Sequence, residues 1–172
     1  EYLNNAIKLQ PDYVHAYTMR GNAYAGLGQQ QRAIEDYNEA IRLKPDEYEE
    51  VPYNNRGLAY ASLGQHQRAI ADYDTAIRLK PDYVLPFNNR GLVYASLPQP
   101  QRAIPDYDTA IRLKPDFAAA YFSRGNAYDG LRQYQQAIKD FDTAIRLKPD
   151  DAAAYYNRGL AYGGLGQYQR AI

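Results

Sequence analysis

Residues 50–83 carry their apolar side chains at helical rather than strand spacing. Tyr53, Gly57 and Tyr60 fall at i, i+4 and i+7, and Ala69, Tyr73, Ala76 and Ile77 at i, i+4, i+7 and i+8. Each set marks one face of an α-helix, and neither stretch alternates as a half-buried strand does. Ser62-Leu63-Gly64-Gln65 separates the two patterns, and Gly64 suits the left-handed backbone that ends a helix. Pro81 stops the second segment, Lys80 complements the negative end of its dipole, and Asp82 is placed to cap the next helix. The pattern predicts two antiparallel helices joined by a short turn.

That pair recurs along the chain. Gly21, Gly57, Gly91, Gly125 and Gly159 open the same phrase at intervals of 36, 34, 34 and 34 residues. Ala-Ile follows each Gly after twelve residues, and a second Ala-Ile and Lys-Pro-Asp close each full copy. A period of this length marks stacked units that bury their apolar faces against neighbours. The divisions are 1–13 (a trailing second helix), 14–49 with a two-residue insertion, 50–83, 84–117, 118–151, and a partial copy at 152–172. The chain starts and stops in mid-phrase, so it reads as a piece of a longer array.

Small residues such as Gly57 and Ala69 are expected where the two helices approach closely, with Tyr53, Tyr60 and Tyr73 filling the volume beside them. The 19 tyrosines are therefore read as packing rather than as a stacking platform for bases or sugars. Arg20, Arg56, Arg90, Arg124 and Arg158 precede the glycines, and Asp36, Asp72, Asp106 and Asp140 share their period. An Arg–Asp pair between the helices of each copy is the expectation.

Two stretches break the pattern. Asp46-Glu47-Tyr48-Glu49-Glu50-Val51-Pro52 holds the insertion and packs four carboxylates together, either as a patch for a basic partner or because acids favour helix N-termini. Pro98, Pro100 and Pro105 crowd the third full copy. Pro98 stands in place of the turn glycine, and Pro105 lies where the second helix should already run. That helix is predicted to start late or to kink around 101–106.

Charge and composition remove several classes of function. Lys plus Arg number 20, as do Asp plus Glu, so the chain has no basic footprint for nucleic acid or an anionic membrane surface. No apolar run approaches the length of a membrane span, and no secretory signal pattern is present, which favours a cytoplasmic location. Cysteine is absent, excluding thiol chemistry. The two histidines, His15 and His66, have no metal-ligand spacing, and the glycine turns lack the Gly-Lys-Ser/Thr of a phosphate loop. Neither an enzyme nor a cofactor or metal site is expected.

The order aromatic-x2-Arg-Gly-x2-Tyr, then Ala-x3-Tyr, then Ala and Pro, resembles the tetratricopeptide repeat, and the resemblance covers the whole chain. It implies an all-α, right-handed solenoid whose first helices line a concave groove that holds peptides. The lining positions implied are two and three residues before the signature Gly and one after it. Here they read Thr18, Met19 and Asn22; then Asn54, Asn55 and Leu58; then Asn88, Asn89 and Leu92. The last copies supply Phe122, Ser123 and Asn126, then Tyr156, Asn157 and Leu160. The residue six before the Gly adds His15, Val51, Leu85, Ala119 and Ala153. This lining alternates carboxamides with apolar groups and carries almost no charge. The cations that clamp a terminal carboxylate in one subclass of the family are missing here.

Because a carboxamide both donates and accepts, a ladder at Asn55, Asn89 and Asn157 suits the backbone of an extended, neutral or apolar peptide. The Asn run read as mere inheritance by duplication stays open. The chain is thus expected to be a noncatalytic protein-binding scaffold. The alternatives are a structural array self-associating head to tail, or the regulatory arm of an enzyme lying outside these residues.

Overall fold

The computed structural model describes residues 1–43, 50–98 and 100–172. Among them lie helices α1 (Tyr2–Leu9), α2 (Val14–Gly26), α3 (Gln30–Leu43), α4 (Glu50–Ser62), α5 (His66–Leu79) and α6 (Val84–Ser96). A 3-10 turn at Pro100–Arg102 leads to α7 (Ile104–Leu113), followed by α8 (Ala118–Gly130), α9 (Tyr134–Leu147), α10 (Ala152–Gly164) and α11 (Tyr168–Ala171). No strand occurs among the described residues. The chain is all-α and built of antiparallel helix pairs, as the spacing predicts.

The turns explain the pairing. Gly64 takes φ 70°, letting the Gln65 amide reach back 2.9 Å to the Tyr60 carbonyl and close the helix end. Gly28 and Gly166 repeat this at φ 73° and 72°. In the turn after α8 the same backbone is forced on Arg132 at φ 59°, a substitution the periodic reading overlooked. The prolines act as their locked geometry requires. The second helix of the third full pair begins only at Ile104, behind the 3-10 turn, with Pro105 in its first turn, where a missing N–H costs nothing.

Helix starts differ from expectation in one detail. The Asp after the proline, Asp12 or Asp116, lies one residue before the cap, and Tyr13 and Phe117 occupy the N-cap positions of α2 and α8. Asp151, an additional acid, does cap α10, accepting from the Ala153 amide at 3.1 Å. Most of the acidic insertion, 46–49, lies outside the described residues. Its last acid, Glu50, opens α4 and accepts from the Lys80 ammonium at 3.1 Å.

Within a pair, the contact is a glycine against an aromatic ring. A Cβ added at Gly21, Gly57 or Gly91 would lie 2.6, 2.7 or 2.6 Å from the ring of Tyr37, Tyr73 or Tyr107, and at Gly125, 2.7 Å from Phe141. Those four rings are essentially unexposed, with Ala33, Ala69 and Ala137 buried in the same second helices and Ala103 buried at the N-cap of α7. Other tyrosines lie under arginine: Arg32 over the half-buried Tyr24, Arg102 over the half-buried Tyr94 and Arg170 over the buried Tyr162, at 4.4–4.9 Å.

The expected Arg–Asp pairs form as two-pronged bonds. Arg20, Arg56, Arg90 and Arg124 reach Asp36, Asp72, Asp106 and Asp140 through Nε and Nη2 at 2.6–2.9 Å. The third nitrogen of Arg20, Arg56 and Arg124 extends the clip, and Arg158, without a paired Asp, makes the same outward bond. Nη1 of Arg20, Arg56, Arg124 and Arg158 donates to Asn4, Asn38, Asp108 and Asp142 on the second helix of the preceding pair. One guanidinium therefore ties three helices together.

The helices gather into two compact units, 1–86 and 87–172. In the first, α2 contacts α3 and α4, and α4 packs on α5. In the second, α8 contacts α9 and α10, and α9 also packs on α10.

Candidate functional site

Each first helix turns its Gly toward the second helix, and the opposite face is left to solvent. At 100° per residue, positions six and two before the Gly and one after it fall on one narrow stripe. That stripe reads His15, Met19, Asn22 on α2, then Val51, Asn55, Leu58 on α4, then Leu85, Asn89, Leu92 on α6. On α8 it reads Ala119, Ser123, Asn126, and on α10, Ala153, Asn157, Leu160. Met19, Leu58, Leu92 and Leu160, each on its own first helix, are about half exposed.

Several residues expected on this face are elsewhere. The position three before the Gly is rotated toward the helix that meets the Gly, and it is shielded there. Thr18 is buried and its hydroxyl donates to the Val14 carbonyl at 3.2 Å. Asn54 and Asn88 are buried as well, and Phe122 is half buried against Phe141, ring centres 6.0 Å apart. Of this set only Tyr156 is open to solvent. Ser123, although on the stripe, is also buried. His15, Met19, Asn22, Leu58, Leu92 and Asn126 are exposed or half exposed, as are Asn55, Asn89 and Asn157.

The asparagines engage one another sideways. Asn55 Nδ2 donates to Asn22 Oδ1 at 2.8 Å, joining α4 to α2, and Asn157 donates to Asn126 at 2.8 Å, joining α10 to α8. Asn22 Oδ1 also accepts from the Tyr37 hydroxyl at 2.8 Å, and Asn55 Oδ1 accepts from Asn54 at 3.0 Å. Two donors thus occupy the Asn22 oxygen. Asn22 Nδ2 donates to the Met19 sulfur at 3.9 Å, which leaves one N–H on Asn22, and Asn55 keeps one N–H and one acceptor site on its oxygen.

These groups border a cavity of about 250 Å³ between α2 and α4, lined by Asn22, Ala25, Gln30, Tyr37, Asn55, Leu58, Ala59 and Ser62. Burial pushes the Tyr37 hydroxyl up to about 12, with Asp36 adding to the effect, so it remains a neutral donor at any ordinary pH. The equivalent hydroxyls of Tyr73 and Tyr107 find Leu58 and Leu92 where Tyr37 finds Asn22. The Tyr73 and Tyr107 hydroxyls are buried without a hydrogen-bond partner, Ser123 lying near the latter. Burial raises both above the ordinary phenol range. Neither difference was visible in the period. Comparing the residue after each Gly with the aromatic sixteen positions on shows it in retrospect.

Among the described residues, no group of three or more His, Asp or Glu is placed to hold a metal ion. No helix among them is long and apolar enough to cross a membrane.

Comparison with known families agrees with this architecture. A tetratricopeptide repeat model matches residues 57–97, 101–131 and 132–166, and a second one matches 14–47. The chain belongs to the tetratricopeptide repeat family. Members of that family are generally noncatalytic protein-interaction scaffolds. No curated protein matches the sequence. Among solved structures, a crystal structure of MamA is similar at 30% identity, covering 88% of this chain and 87% of that one, with a TM-score of 0.76. YrrB, described as a tetratricopeptide protein with an unusual peptide-binding site, aligns over 100% of this chain and 88% of its own at 23% identity and TM-score 0.76. Cut9, from a hetero-tetramer with Hcn1, aligns over 99% of this chain and 34% of its own at 24% identity and TM-score 0.85. The last two likenesses concern the fold.

Proposed function

We propose that the exposed face of the first helices binds a neutral or apolar peptide segment, making the chain a noncatalytic docking scaffold. The supporting observation is the cavity between α2 and α4. One remaining N–H on each of Asn22 and Asn55 stands there beside Leu58, with no charged side chain in the lining. Amide donors pair with peptide carbonyl oxygens whatever the side chains, and Leu58 offers an apolar neighbour for one of those side chains. At about 250 Å³ the cavity is smaller than a drug-sized pocket and suits part of an extended segment.

An array of immobilised peptides probed with the labelled chain tests this. Peptides captured by the native chain should bind Asn55→Ala roughly tenfold more weakly, the order of one or two lost hydrogen bonds. Leu58→Lys, which adds charge beside the same cavity, should weaken apolar peptides comparably. Unchanged capture by both variants removes this face from the account.

A second reading rests on exposed aromatics elsewhere. Tyr2 on α1 is 92% exposed, and Tyr156 and Tyr168 on α10 and α11 are about two-thirds exposed. Head-to-tail association of copies would cover them. Light scattering over a concentration series decides it, and a mass constant at one protomer rejects it.

A further inference from the structure

The position four residues after the signature Gly is small in four of the five helix pairs, as Ala25, Ala61, Ala95 and Gly163, but in α8 it is Asp129. In unit 1, Ala25 lines the cavity between α2 and α4. The helices of unit 2 repeat that arrangement. Gly125 packs on Phe141 as Gly21 does on Tyr37, and Asn157 bonds to Asn126 as Asn55 does to Asn22, both at 2.8 Å. By the repeat, Asp129 holds in unit 2 the backbone place that Ala25 holds beside the unit 1 cavity, with α10 as the neighbouring first helix. Tyr134 replaces Gln30 there, and its ring lies against Gly164, the counterpart of Ser62: a Cβ on that glycine would come within 2.6 Å of the ring.

Nothing in the fold accounts for an acid at this place. It stands in the last turn of α8, where the helix dipole already presents negative charge. It is partly buried, and burial alone holds its carboxyl above the usual range, with no neighbouring cation to offset it. No hydrogen bond or ion pair to its carboxylate is found among the described residues. Arg124 in the same helix is already engaged by Asp140 and Asp108. Four sibling pairs manage with a hydrogen or a methyl group. A charged residue that breaks the repeat rule and the dipole rule together, with no structural partner, marks a position kept for a ligand.

We infer that Asp129 anchors a basic side chain, a lysine ammonium or an arginine guanidinium, of a peptide docked on α8 and α10, with the Tyr134 ring as an apolar wall for its methylene stem. The inference rests on the peptide-binding reading of the first-helix face and departs from it in one respect: the segment on unit 2 carries one basic side chain, whereas that on unit 1 is neutral or apolar. The equivalent place in unit 1, with Ala25, has no such requirement.

The test titrates the full chain with three small probes and follows backbone amide resonances. The probes are N-acetyl-lysine methylamide, N-acetyl-arginine methylamide and N-acetyl-norleucine methylamide, which keeps the stem without the charge. The expected result is that one or both cationic probes shift Gly130, Tyr134 and Gly164 at roughly tenfold lower concentration than norleucine does, the order of one charge-assisted hydrogen bond. Asp129→Asn, equal in shape, should abolish that preference while leaving the rest of the spectrum unchanged. Ala25→Asp should create a cation preference at Asn22 and Asn55. Equal response to all three probes, or a preference that survives Asp129→Asn, overturns the inference. The wider reading is tested separately by whether peptide capture falls in Asn55→Ala or Leu58→Lys. Loss there with no cation preference at Asp129 rejects the anchor alone, and the reverse result rejects only the wider reading.

Discussion

Tyr37, Tyr73, Tyr107 and Phe141 hold one position in four helix pairs, and the side chain after the signature Gly decides what each para position meets. Tyr37 donates to Asn22, whereas the Tyr73 hydroxyl is buried without a partner. The same substitution should therefore act in opposite directions. Tyr37→Phe is expected to lose about 1 kcal/mol, and Tyr73→Phe to gain about 1 kcal/mol by removing an unsatisfied group. Urea denaturation of the two variants checks this, and equal losses would mean that Tyr73 has a partner in solution. The three tyrosines of this set, Tyr37, Tyr73 and Tyr107, also set the alkaline limit of the fold. Their hydroxyls ionise well above the ordinary value of 10, with Tyr37 at about 12. The folded state therefore holds its protons more tightly than the unfolded chain. Stability is undiminished below pH 10 and falls as pH rises through 12. Tyrosinate absorbance should show a late fraction that titrates together with the loss of helical circular dichroism.

At the scale of the helix pair, close approach governs. Gly57→Ala places a methyl group within 2.7 Å of the Tyr73 ring, which is packed on every side. The gain in helix propensity, about 1 kcal/mol, is outweighed by overpacking of about 1–3 kcal/mol, so a net loss is expected in thermal melts. The turn after α8 should respond oppositely. Arg132→Gly relieves a left-handed residue and is expected to add roughly 1 kcal/mol. The Arg56–Asp72 pair is mostly shielded, with side-chain exposures of 18% and 8%. A double-mutant cycle of Arg56→Ala and Asp72→Ala should give a coupling of about 1–3 kcal/mol, and a value near zero would make the pair incidental.

For the whole molecule, stability is a sum over pairs and their neighbours, so loss of structure need not be all-or-none. The weakest interior segment should be the short α7 with its 3-10 lead, where prolines replace four residues' worth of regular helix start. Hydrogen exchange is expected to show least protection there and in α1 and α11, and most in the α4–α5 and α8–α9 pairs. Uniform protection across the chain would contradict this ranking.

The regular parts were legible from residue spacing because they depend on local rules. A recurring Gly with an aromatic sixteen residues later, Ala-Ile repeats and a turn glycine define a helix pair by periodicity and backbone preference alone. The late start of α7 followed likewise from Pro98, Pro100 and Pro105. The face was harder to assign. Positions two and three before the Gly differ by one residue, and only packed neighbours show that Asn55 reaches the surface while Asn54 and Thr18 are shielded. Spacing could list the asparagines, but it could not show that Asn22 spends its oxygen on Tyr37 and Asn55, since those bonds join separate helices. The helix pairs and their order were thus written in the chain itself. Which polar groups remain free for another molecule was settled by tertiary contact, because a hydrogen-bonding group is available only when no neighbour has claimed it.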